Sequence, residues 1–293
     1  MTRTMTAVLA VALLGACAGD DAAPAADSPV TMELLQAALA SITAEEMLRR
    51  TNDLAHDSME GRAPGTPGDE KTVRYLEAQF RAMGLAPGNP DGTYRQNVPL
   101  VGIRPRVTAS LTINGRAVPL QAPRDFIAQS RRVTPQVGVA NSDLVFVGYG
   151  VVAPEYGWDD YKDVDVSGKT IVMLVNDPAI RVAGDSAYDD SMFRGRAMTY
   201  YGRWTYKYEI AAEKGAAAAI VIHETGPAGY PFEVLAGGFP RENFDIKSPD
   251  NNMSRVAVQA WMPEPAARTY LRQMGQDFDQ LKQLALQKDF RPV

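Results

Sequence analysis

Near residue 100 the chain changes its hydrophobic period, so it can only fold as helices in one part and a sheet in another. Before the change, Thr43 with Glu46 three residues later makes a capping box. Met47, Leu48, Leu54 and Ala55 then follow near helical spacing until Glu60-Gly61-Arg62-Ala63-Pro64-Gly65 breaks the pattern. A second helix is expected from Thr66 as N-cap and Pro67 at its first position, with Val73, Leu76, Phe80 and Met83 on one face and Gly84 as stop. Beyond the change, residues 107–113 and 117–120 read as a hairpin about Asn114-Gly115. Apolar runs at 144–147 and 171–175 read as buried strands, and a helix from about Thr205 to Lys214 leads through Gly215 into a small-residue strand at 216–223. A strand at 255–261 and helices at 264–274 and 277–288 follow. The expected fold class is α+β: helices over 31–99, a mainly β module over 100–262 and closing helices over 263–293.

Apolar residues make up 45% of the chain and charged residues 22%, which is ordinary globular composition. With 30 Lys and Arg against 35 Asp and Glu, a net charge of −5 and no basic block, nucleic acid is excluded as the expected partner. The amino terminus reads as a targeting signal: Arg3, an apolar stretch over 5–14, then Leu14-Gly15-Ala16-Cys17. The apolar stretch is too short to span a bilayer. It resembles the lipobox of bacterial lipoproteins, which implies cleavage before Cys17, lipidation of its thiol and a membrane anchor. The other reading is a plain signal peptide with an incidental cysteine. Residues 18–30, rich in Ala, Asp and Pro, read as a flexible tether. Ala18 stands where an Asp would signal inner-membrane retention, so the expected location is the cell envelope, on the periplasmic face of the outer membrane.

The chain offers little catalytic chemistry of its own. It has no Gly-x-Ser-x-Gly elbow, and its two imidazoles, His56 and His223, have no neighbours spaced as metal ligands. His223 reads as a polar edge residue and His56 as a solvated or capping one. Gly168-Lys169-Thr170 reads as a turn before a strand, and Asp163-x-Asp165-x-Ser167-Gly168, with Asp159 and Asp160, as a solvated acidic turn. The aromatic segment from Met198 to Tyr208 stands out. Arg203 with Tyr200, Tyr201 and Tyr206 are its candidates for facing substrate, since a guanidinium binds a carboxylate bidentately and tyrosine adds apolar area with a hydroxyl. The competing reading has these aromatics packing on the sheet.

Together, several motifs resemble the amino-terminal part of bacterial zinc-dependent aminopeptidases, the broad family of glutamate carboxypeptidase and the transferrin-receptor fold. They are Met59-Glu60-Gly61-Arg62-Ala63-Pro64-Gly65-Thr66-Pro67-Gly68 and the helix after it with Tyr75, Leu76, Phe80, Gly84 and Leu85. The later motifs resemble the protease-associated domain inserted in those enzymes: Val147-Gly148-Tyr149-Gly150, Gly157-Trp158-Asp159-Asp160-Tyr161, Gly168-Lys169 and the run from Ala211 to His223. The resemblance implies an exopeptidase with two zinc ions and a glutamate general base. It implies too that residues 31–99 belong to an α/β zinc-peptidase domain whose remainder is absent from this chain, and that the inserted module roofs the active site. The His-x-Asp pair that opens the family's ligand set has no match, so no catalytic or metal residue is carried over. No cofactor is expected in this chain and two zinc ions in the full-length enzyme. The expected partners are the catalytic domain and a peptide substrate, with the chain inactive alone. The alternative is a stand-alone lipoprotein that binds a peptide or protein.

Overall fold

The structure is a computed structural model that describes residues 31–239 and 241–293. The signal segment, Cys17 and the tether lie outside the described residues. The chain divides into two units between Arg95 and Gln96.

The first unit holds three helices, α1 (Met32–Ala40), α2 (Ala44–Ala55) and α3 (Pro67–Ala82). Thr31, Thr43 and Thr66 are their N-caps, each hydroxyl accepting a first-turn backbone N–H, as the sequence predicts for the last two. Only half of the capping box forms, because the Glu46 carboxylate turns to Arg49 at 2.8 Å. Gly68 is the sole buried residue of the three helices. A Cβ there would stand 2.2 Å from the Met59 carbonyl oxygen, so only glycine lets α3 begin against the turn at 57–62. Polar contacts tie the unit together: Arg50 donates to Gln79 at 2.8 Å, Tyr75 to Asp53 at 3.1 Å, and Arg95 pairs with both Glu70 and Glu77. Leu76, Phe80 and Met83 remain exposed, as do Leu34, Leu39, Met47 and Leu48.

The second unit opens with β1 (Leu100–Ile103), the hairpin β2 (Ala109–Ile113) and β3 (Arg116–Leu120), then β4 (Ile127–Gln129) and β5 (Leu144–Phe146). Asn114 and Gly115, both at positive φ, make the hairpin turn where the sequence placed it. The short pair β6 (Val152–Ala153) and β7 (Trp158–Asp159) precedes β8 (Thr170–Leu174), α4 (Trp204–Glu213) and β9 (Ala218–His223). After α5 (Thr225–Ala228) and α6 (Phe232–Gly238) come β10 (Asn243–Ile246), β11 (Val258–Pro263), α7 (Glu264–Gln273) and α8 (Phe278–Leu284).

A five-stranded sheet in the order β4-β11-β9-β8-β5 is the centre of this unit. Its last four strands run parallel and β4 joins antiparallel at one edge. The α+β class therefore stands, but the body of the module is a mostly parallel sheet with helical crossovers. The β8–α4–β9 run is one such unit, since parallel neighbours need a crossover connection. β8 and β9 are almost continuously buried, as strands covered on both faces are. Helix α4 packs on β9, and α7 on β9 and β11. The closing segment, expected as a separate region over 263–293, contributes to this core through Ala267 and Tyr270 of α7, Phe278 and Leu281 of α8, and Phe290 beyond them.

Candidate functional site

Two of the second unit's motifs, 147–150 and 157–161, meet near the carboxyl ends of β5 and β8, while Gly168-Lys169 lies at the amino end of β8 and bonds to Gly215 and Ala217. Gly148 and Gly150 follow β5 at φ of 58° and 65°, in the left-handed region glycine favours. A Cβ on Gly150 would lie 2.5 Å from Met173 Sδ, so the tight turn also needs the missing side chain. Asp160 was expected to be solvated and is fully buried. Its two oxygens accept the Trp158 indole N–H at 2.8 Å and the Val151 backbone N–H at 2.9 Å, which is what makes burial of a carboxylate tolerable. Burial nevertheless raises its pKa to about 6. Asp159 and Asp165 do cap turns, accepting from Tyr161 and Ser167 N–H groups.

Lys207 is the residue that reading the sequence missed. It lies on α4 between Tyr206 and Tyr208, fully buried, and donates from Nζ to the carbonyls of Tyr149 and, at 2.7 Å, Asn176. These two carbonyls belong to the turns after β5 and β8, so one side chain clamps both. Burial lowers its pKa to about 7, with Asp160 and Asp177 opposing the shift. A neutral amine has two N–H donors, which matches the two carbonyls. No spacing rule marks such a lysine, though three successive large residues on a buried helix are a signal that the helix is enclosed on most sides.

Three of the four aromatic-segment candidates pack together, the Tyr206 ring meeting that of Tyr200 at 5.7 Å and that of Tyr201 at 5.1 Å. Tyr206 is buried, and its hydroxyl accepts the Val152 N–H at 3.0 Å. Tyr201 is half-buried against Phe193 and Tyr206, donates to Glu155 at 2.7 Å, and has its pKa pushed up to about 12, mainly by burial. Tyr200 is exposed and donates to Glu209, and Arg203 is exposed at the start of α4. Packing thus claims Tyr206 outright, while Tyr200 and Arg203 stay exposed.

A pocket of about 450 Å³ does form beside the same segment, from different residues. Trp204, Tyr208 and Glu209 of α4 make one wall, and Arg131, Asp245, Arg255 and Gln259 the other. Trp204 is 44% exposed, and its ring meets Tyr208 edge-on at 6.2 Å. The Arg131 side chain is only 20% exposed, donates once, to the Phe244 carbonyl at 3.3 Å, and stands 3.9 Å from Asp245. Sequence reasoning could not assemble this group, because its members come from four segments between residues 131 and 259. A second, apolar pocket of about 190 Å³ lies between the sheet and α7–α8.

The histidines are apart. His56 is exposed, ends α2 and accepts the Ser58 N–H on Nδ1 at 3.1 Å, as a capping residue. His223, expected at an edge, is 2% exposed because β9 lies in the middle of the sheet, and it sits among Tyr230, Phe232 and Trp261 with Nε2 unpartnered. Among the described residues no three of His, Cys, Asp and Glu gather as metal ligands.

No model of a known protein family matches the sequence, and no curated protein matches it. Among solved structures, the chain is similar to an aminopeptidase from Aneurinibacillus sp. strain AM-1 at 18% identity and a TM-score of 0.33, over 75% of this chain. The chain spans 40% of that protein's length. A superposition this loose does not establish a shared fold.

Proposed function

We propose that this chain is the amino-terminal and protease-associated region of a lipid-anchored zinc exopeptidase, in which the second unit roofs the active site and limits access to chain ends. One observation carries the reading. The motifs that prompted it, 147–150, 157–161, 168–169 and 211–223, lie apart in sequence yet pack within one unit: Gly150 stands against Tyr161, the Gly168 N–H donates to the Gly215 carbonyl at 2.9 Å and the Ala217 N–H to the Lys169 carbonyl at 2.8 Å, and β8 joins the two groups where the Leu174 N–H donates to the Gly148 carbonyl at 2.8 Å. The residues are thus used together, as a motif set should be, with glycines where the backbone requires them. The metal ligands and general base of this proposal come from outside the described residues, and the peptide chemistry with them.

A second reading, a peptide-binding lipoprotein, is favoured by the pocket at Trp204, which is built wholly from the second unit. A leucyl-anilide assay on the product of the complete reading frame, with and without chelator, separates the two. Chelator-sensitive turnover supports the peptidase; absence of turnover in the intact product removes it and leaves the binding protein. Lipid anchoring is tested by Cys17→Ser, which should move the protein from the membrane to the soluble fraction, since an acylated chain binds the bilayer through its buried methylenes.

A further inference from the structure

We infer that the pocket between α4 and the β11–β4 edge binds the free carboxylate end of a peptide whose last side chain is aromatic or bulky and apolar. This needs only the second unit, so it stands or falls separately from the peptidase reading.

Arg131 carries the argument. A guanidinium has five N–H donors, and this one, four-fifths buried in the wall of a pocket, uses a single donor in a long 3.3 Å bond. Its closest carboxylate, Asp245, stays at 3.9 Å, beyond hydrogen-bond distance. Nε and Nη2 have no partner among the described residues, nor has the guanidinium of Arg255 on the same wall. Two guanidiniums with donors to spare suit the planar, bidentate geometry of a carboxylate. The pocket also contains two acids, Asp245 and Glu209, so its formal charge balances. That disfavours a dianionic phosphate and leaves a monoanion as the better match.

The rest of the pocket is suited to a peptide. Trp204 lines the pocket and is partly open to solvent, which offers a surface for an aromatic or aliphatic terminal side chain. Gln259, 4% exposed, accepts only a 3.4 Å bond from Gln129 and so keeps amide donors available for a main-chain carbonyl. Thr205 and Ser254 add hydroxyls. A volume of about 450 Å³ accommodates one or two residues rather than a folded partner.

The chain itself supplies the readout. Of its three tryptophans, Trp158 and Trp261 are buried, and only Trp204 is open to a ligand. Titration of the chain with N-acetyl-alanyl-phenylalanine should therefore give a saturable change in tryptophan emission that Trp204→Phe abolishes. The C-terminal amide of the same peptide should bind about 10-fold more weakly or worse, because it lacks the charge that the guanidiniums address. Arg131→Gln and Arg255→Gln should each remove most of the acid's advantage while leaving amide binding unchanged. Arg255 is exposed, so its variant keeps the test valid even if the Arg131 variant misfolds. Equal binding of acid and amide, or no saturable response to either, overturns the inference. Displacement of the peptide by inorganic phosphate at similar concentration would reassign the pocket to general anions and overturn it too.

Discussion

Replacing Lys207 by Met removes the clamp while keeping an unbranched side chain of similar length, and its effect should depend on pH in a defined way. In the folded protein Lys207 titrates at about 7, against an ordinary lysine value of 10.5. Between those values the unfolded chain holds more protons than the folded one, so the wild-type protein should gain stability as pH rises through this window. From pH 7 to about pH 9.5 the gain integrates to roughly 3 kcal/mol. Asp160 works in the opposite sense and elsewhere: its folded value of about 6 lies above the carboxylate norm, so stability is lost as pH rises towards 6, outside the lysine window. In Lys207→Met the alkaline gain should vanish. The Tyr149 and Asn176 carbonyls lose their donor, at a cost of about 1–3 kcal/mol each if no water replaces it. The balance against removing a buried amine is least favourable to the variant at high pH, where the wild-type amine is neutral and costs little to bury. Urea unfolding at pH 7 and at about pH 9.5 measures both quantities. A variant whose stability rises with pH as steeply as the wild type would refute the assignment of Lys207 as the group responsible.

Two further outcomes follow from the packing. Gly150→Ala should destabilise the second unit by about 1–3 kcal/mol, read as a lower urea midpoint, since alanine there needs both a left-handed backbone and displacement of Met173. Hydrogen exchange should be fast across α1 and α2, whose side chains are nowhere buried, and slowest in β8 and β9 at the centre of the sheet; equal protection in both would contradict the burial pattern.

Local chemistry was legible in the residues themselves. The N-caps at Thr43 and Thr66, the turn at Asn114-Gly115 and the glycine stops at Gly84 and Gly215 all lie where their types dictate, because each depends only on neighbours a few residues away. The α+β class followed from the change of period alone. Strand order did not: a continuous apolar run such as 171–175 has no polar face to declare its neighbours, so only the tertiary structure shows it between β9 and β5. The same non-local packing decided the fate of the polar residues. Asp160 reads as a solvated charge in the sequence and His223 as a polar edge residue, and no local pattern marks Lys207, yet all three are buried. Arg131, Trp204 and Arg255 are ordinary in isolation. They form a pocket only because β4 pairs with β11 and α4 lies beside that edge, a juxtaposition set by long-range strand pairing that no short window of sequence encodes.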